Sequence, residues 1–176
     1  HVGRVHTDKK SFQDIRVQYE DKGYRKRLYD VLDCITIPDT PLTWLEIGAH
    51  LGTTSAWLAE RYPNIFLYMF DFSAASIDFL NREFTYKNRS IIWRGLAEDI
   101  RGPQNEDLSS TMDFCTCLDV TEHLPDPIYK RTIREIYRVL KPGGKLILMQ
   151  GVWPNIEHIH VLSEQQLKQD LQPAKF

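Results

Sequence analysis

The segment Trp44 to Glu60, WLEIGAHLGTTSAWLAE, constrains the fold more than any other part of the chain. A short apolar run of Leu42, Trp44, Leu45 and Ile47 carries an acid, Glu46, towards its end. Gly48 and Gly52 follow, and Ala56, Leu58 and Ala59 then lie on a helix. Strand, glycine turn and amphipathic helix in that order place the turn at the carboxyl edge of a sheet. Glycines there let the backbone turn sharply and approach a ligand without a Cβ in the way, and the helix aims its N-terminal amides into the same crevice.

The alternation continues along the chain. Ile65 to Phe70 is an apolar run ending in Asp71, and Ser73 opens a helical stretch with Ile77, Phe79, Leu80 and Phe84 on it. Ile91 to Trp93 reads as a third strand, Gly102 to Asn105 as a loop, and Met112 to Leu118 as a fourth strand ending in Asp119. Asp126 and Pro127 supply an N-cap and a first-turn proline to a helix striped by Ile128, Ile133, Ile136, Val139 and Leu140. Pro142, Gly143 and Gly144 are expected to end that helix, and Lys145 to Met149 to return as a fifth strand. Upstream, Tyr24, Leu28, Val31, Leu32 and Ile35 form an N-terminal helix that stops at Pro38 and Pro41.

Continuous apolar strands between amphipathic helices require a mainly parallel sheet covered on both faces, a doubly wound Rossmann-like α/β fold. Residues 1–41 are read as a helical segment of the same domain and 42–176 as its ligand-binding core. With 176 residues, 42% of them hydrophobic, the chain has enough material for one real core. A net charge of −2 gives no global pull on a polyanion, and the run Arg25, Lys26, Arg27 reads as a solvated helix face. These features argue against nucleic acid as a partner. Three cysteines, two of them inside the fourth strand, fit a reducing compartment, and no apolar window is long enough for a membrane span. The expectation is a soluble cytoplasmic protein; its first residue, His1, suggests a trimmed N-terminus.

Ligands of such a sheet bind beyond the carboxyl ends of its strands, so Glu46, Asp71, Glu98 or Asp99, and Asp119 to His123 converge on one crevice. A carboxylate at the end of the second strand, Asp71, can accept from both hydroxyls of a ribose. Its other use is to cap the helix begun at Ser73. Phe72 beside it can cover an adenine face or belong to the core. The dinucleotide fingerprint needs glycines at its first, third and sixth positions, yet after Gly48 the chain has His50 and Thr53 there. A pyrophosphate cofactor such as NAD is therefore disfavoured, and an adenosine without phosphates is not.

These residues carry a resemblance to the class I S-adenosylmethionine-dependent methyltransferases, from about Leu42 to Phe176. Glu46, Gly48 and Gly52 match the family's first motif, with His50 where a glycine is usual, and Asp71 matches its ribose acid. GLAEDI resembles the third motif and implicates Ala97 and Glu98 at the adenine, with Leu96 where many members carry an acid. MDFCTCLDVTEHLPDP resembles the fourth motif and brings in Asp119, and REIYRVLKPGGKLILM the helix, turn and strand that follow. The resemblance implies S-adenosyl-L-methionine as cofactor and methyl transfer to an acceptor. His123 is the candidate base, since an imidazole titrates near neutral pH. Trp153, Pro154 and Ile156 suggest a small organic acceptor.

The resemblance implies a closing antiparallel hairpin that the sequence does not reach, so the expectation is a fragment, a sheet edge covered by a partner or a second copy, or a shortened fold. That absence also keeps open a second reading, a binding or scaffolding module without catalysis; an NAD-type oxidoreductase stands third. No metal is expected. His50, His123, His158 and His160 all fall on loops of one edge, but His158 and His160 alternate and would face opposite ways. Cys115 and Cys117 are read as core.

Overall fold

A computed structural model describes residues 29–151 and 158–172. Within them the elements run β1 (Leu42–Ile47), α1 (Thr53–Arg61), β2 (Ile65–Asp71), α2 (Ala74–Glu83), β3 (Ser90–Arg94), β4 (Met112–Leu118), α3 (Asp126–Val139), β5 (Leu140–Met149) and α4 (Glu164–Asp170). Tyr24, Leu28, the Arg25–Arg27 run and Trp153, Pro154 and Ile156 lie outside the described residues. Of the expected N-terminal helix, 29–33 is helical, and Leu32 is fully buried in the core. No helix among the described residues is long and apolar enough to cross a membrane.

The five strands form one sheet in the order β3-β2-β1-β4-β5, and every neighbouring pair is parallel. Because successive side chains of a strand point to opposite faces, the apolar runs feed two cores at once. Trp44, Leu67, Met69 and Phe114 meet Trp57, Leu58, Ile77 and Leu80 of α1 and α2 on one face. Leu45, Ile47, Phe70, Cys115 and Cys117 meet Tyr129, Ile133, Ile136 and Val139 of α3 on the other. The doubly wound architecture read from the sequence is the one found. Trp44 stacks on Phe114 across the central β1–β4 pair at 4.6 Å between ring centroids, and its indole N–H donates to Thr116 Oγ1 at 3.2 Å. The buried tryptophan thus has its polar atom satisfied.

Two boundaries differ from the sequence reading. Pro125 is the N-cap residue of α3, so Asp126 opens the helix from inside its first turn, where its negative charge still favours the helix N-terminus. More significantly, Pro142, Gly143 and Gly144 do not terminate α3. The helix stops at Val139, and Leu140 already pairs with Met112 on β4; the next pair is Phe114 with Lys145. The residues between form a bulge inside β5, with Gly143 at φ +80°.

Elsewhere side chains close the helix ends. Ser73 Oγ accepts from the Ser76 amide at 3.3 Å to cap α2, and Arg89 donates to the Ala59 and Tyr62 carbonyls at the end of α1, at 2.8 and 3.1 Å. Arg138 of α3 pins the β3–β4 connection, donating to the Ile100 carbonyl and Asp107 Oδ1 at 2.6 Å each.

Candidate cofactor site at the switch point

Strand order reverses between β1 and β4, so a crevice opens beyond their carboxyl ends. The turn from β1 to α1 lines it, and three of its residues hold the left-handed backbone: Gly48 at φ +71°, His50 at +45° and Gly52 at +70°. At Gly48 a side chain would be strained, since a Cβ would come within 2.5 Å of Val120 Cγ2, on the loop after β4, and force that side chain to shift. His50 is in the conformation that favours glycine, which explains why a glycine was expected there. Its burial lowers the imidazole pKa below the ordinary value, with the Asp71 charge opposing that shift.

Asp71 is the hub of the crevice. It is buried at the end of β2; its Oδ2 accepts from the His50 amide at 2.9 Å and its Oδ1 from the Ser73 amide at 2.8 Å. The second bond ties the carboxylate to the N-cap residue of α2, whose own hydroxyl does the capping, and each carboxylate oxygen keeps a second lone pair. The Gly95 amide donates to the Asp71 carbonyl at 3.1 Å, which brings the GLAEDI segment alongside. Phe72 is 56% exposed at the rim, so its core reading is excluded.

Glu46 does not face the crevice openly. It is buried beneath the turn, where its carboxylate takes the hydroxyl hydrogen of Ser55 in the first turn of α1. Gly52, the N-cap residue of α1, has no side chain to offer, and the strand acid supplies the missing acceptor. Burial pushes the Glu46 carboxyl up to about 7, against the lowering effect of its bonds to Ser55 and Thr54.

The third-motif residues divide. Ala97 is partly buried against the core that α3 shares with the sheet, whereas half-buried Glu98 extends its carboxylate to within 3.9 Å of the Arg131 guanidinium on that helix. Asp119 follows β4 in the left-handed region at φ +53°, its amide donating to the Met149 carbonyl at 2.9 Å. His123 lies exposed on the short 3-10 turn Thr121–His123, and its ring meets that of His158 edge-on at 5.1 Å. His160 instead lies against Tyr129 at 4.5 Å, so the two alternating histidines do part company. Cys115 and Cys117 are fully buried, and burial raises both thiols far above their ordinary range.

Three participants had no role of their own in the sequence reading. Ser55 looked like one more polar residue of a helix, Val120 like an ordinary loop residue, and Glu122 was overshadowed by the histidine beside it. Glu122 is 1% exposed, and its Oε1 accepts from the Gly151 amide at 2.8 Å. An acid beside a histidine directly after an apolar strand was the available signal.

Comparison with known proteins bears on this geometry. Residues 45–144 match the family described as "Methyltransferase domain". The chain is 30% identical over 145 residues to the tRNA N(3)-methylcytidine methyltransferase trm141 of Schizosaccharomyces pombe, covering 79% of this chain and 58% of that protein. It is 31% identical over 108 residues to the ubiquinone biosynthesis O-methyltransferase of Pseudomonas aeruginosa, covering 59% and 42%. The chain thus spans about half the length of these curated relatives. Among solved structures, phosphoethanolamine N-methyltransferase 2 of Haemonchus contortus in complex with S-adenosyl-L-methionine superposes with a TM-score of 0.67. That match is at 18% identity, over 84% of this chain and 36% of that one, and is a likeness of fold. With a family match across more than half of its residues and that family's glycine turn at the switch point of its sheet, the chain belongs to the class I methyltransferase family.

Proposed function

We propose that the chain binds S-adenosyl-L-methionine in the crevice between β1 and β4 and transfers its methyl group to a small organic acceptor. The observation that carries this reading is Asp71, a strand-end carboxylate bonded to the amide of the very turn that lines the crevice. The residues present suit that cofactor. Asp71 has lone pairs left for ribose hydroxyls, Phe72 stands exposed beside it for the adenine, and the turn lacks the glycine pattern a pyrophosphate needs. In this reading Gly48, His50 and Gly52 shape the wall along the methionine part, Ala97 and Glu98 serve the adenine end, Glu46 supports the turn from below, and Asp119 after β4 completes the cofactor-binding set.

When bound, the cofactor supplies an electrophilic methyl group on a sulfonium. The chain's own share is to align the acceptor in line with it and to remove a proton. His123, exposed on the turn after β4, is placed to take that proton. The second reading for the acceptor is a tRNA nucleoside. It is favoured by the relative named for tRNA methylation, whose similarity spans 79% of this chain, and the expectation against nucleic acid has no support from it.

Calorimetry with S-adenosyl-L-methionine and S-adenosylhomocysteine tests the cofactor, and methyl transfer to phenolic acceptors against tRNA tests the acceptor. No heat from either nucleoside overturns the enzyme, and binding without transfer to any acceptor favours the scaffold. Asp71→Ala is expected to weaken cofactor binding by roughly 2 to 3 kcal/mol, from lost hydrogen bonds to a charged group. His123→Ala should leave that affinity in place and lower turnover. If the two variants fail to dissociate binding from turnover in this way, the assignments of both residues fall.

A further inference from the structure

Beside the cofactor crevice, three side chains converge that no part of the cofactor reading requires together. One oxygen of Glu122, one nitrogen of His123 and one nitrogen of His158 all lie within 4.8 Å of one another. The segments that bring them together are 35 residues apart in sequence. We infer that Glu122, His123 and His158 form a binding site for a divalent transition-metal ion.

The carboxylate is the strongest observation. Glu122 is 1% exposed, and its Oε2 has no hydrogen-bond partner among the described residues. A buried carboxylate oxygen left in that state is costly, and a cation is the partner that best offsets it. Its other oxygen is held by the Gly151 amide at 2.8 Å, which fixes the carboxylate plane as outer-shell bonds do in metal sites. Space is reserved as well. A Cβ on residue 151 would come within 2.7 Å of His158 Cε1 and 2.8 Å of Glu122 Oε1, so the glycine lets the strand end close over the cluster.

Ligand chemistry narrows the ion. Bonds of about 2.0 to 2.2 Å put two ligands of a tetrahedral ion about 3.3 to 3.6 Å apart, so the three side chains close on an ion by shifts of up to about 1 Å each. Two imidazoles and one carboxylate favour zinc, cobalt, manganese or ferrous iron over magnesium or calcium, whose ligands are oxygens. Three protein ligands leave positions open for an acceptor oxygen. This use of the site rests on the methyl-transfer reading, whereas ion binding itself does not. With the ion in place the acceptor hydroxyl loses its proton to solvent more readily, and its oxygen then forms the bond to methyl carbon while the departing sulfur keeps the electron pair. His123 is then a ligand, and acts as the proton acceptor only in the ion-free protein.

Cobalt(II) is the probe, titrated into the metal-stripped full chain without cofactor or acceptor and followed by calorimetry and visible absorption. One ion per chain is expected. Glu122→Gln, which retains an acceptor for the Gly151 amide, and His158→Ala should each weaken binding by at least the ~10 to 100-fold that even outer-shell changes cost. Cys34→Ser, which removes the exposed thiol, should not. Circular dichroism confirms that each variant is folded. No binding below millimolar cobalt, or binding that both variants retain, overturns the site. Binding that leaves methyl transfer unchanged overturns the acceptor role, and a chain that binds cobalt but not S-adenosyl-L-methionine refutes the cofactor reading alone.

Discussion

Glu46 takes up a proton on folding. Its carboxyl sits at about 7 in the folded chain against 4.5 in the open one, because burial penalises its charge. Between those values the folded state holds more protons than the unfolded state, so Glu46 makes stability fall as pH rises from about 4.5 to 7 and level off above. The size is on the order of 3 kcal/mol. His50 works in the opposite sense: its lowered pKa makes stability fall as pH drops below the unfolded value of 6.5. Urea midpoints at pH 5 and pH 8, compared between the parent chain and Glu46→Gln, separate the first effect from the second. Glu46→Gln should show a smaller loss between them than the parent chain, and an identical loss would assign the slope to other groups. His50→Gly should raise the thermal midpoint by about 2 to 3 °C, relieving a left-handed residue by about 1 kcal/mol. At this scale residue types were legible and directions were not. The acid of the first motif was plain in the sequence, but the Ser55 hydroxyl that draws it inward lies nine residues on and carries no pattern of its own.

The helices were the most legible elements, since α2 buries Ile77 and Leu80 and α3 buries Ile133, Ile136 and Val139 of the stripes that a 3.6-residue periodicity predicts. The bulge in β5 was not. Proline and two glycines normally stop a helix, and only the pairing of Leu140 with Met112 shows that the strand has already begun. Its two glycines have different duties. Gly143 adopts φ +80° with nothing within 4 Å of an added Cβ, whereas a Cβ on Gly144 would lie 2.9 Å from the Lys141 carbonyl oxygen and 3.1 Å from that of Met112. Gly143→Ala should cost about 1 kcal/mol of backbone strain. Gly144→Ala meets backbone that cannot step aside and should cost more, about 2 to 3 kcal/mol. Equal denaturation midpoints for the two variants would show that the bulge relaxes freely.

Across the whole molecule, what the sequence withheld was order. Alternating strands and helices implied a parallel sheet, yet nothing in them says that β1 and β4 are neighbours, and on that adjacency the crevice depends. Long-range polar ties were equally silent. Arg138 and Glu135 on α3 together hold Ile100 by its carbonyl and its amide, and so anchor the connection that begins with Ala97 and Glu98. Arg138→Ala should speed amide exchange across 100–109 by about tenfold, as expected for lost charge-assisted bonds, while β1 and β2 stay protected. Exchange that rises everywhere would mean that the arginine stabilises the global fold and does not specifically anchor this connection. The close approach of Val120 to the bare Gly48 backbone links the two loops of the crevice, one following β1 and one leading to His123. Anyone transplanting the loop after β4 from another member onto this scaffold must match its volume at position 120, or the graft will dislodge the glycine turn across the crevice.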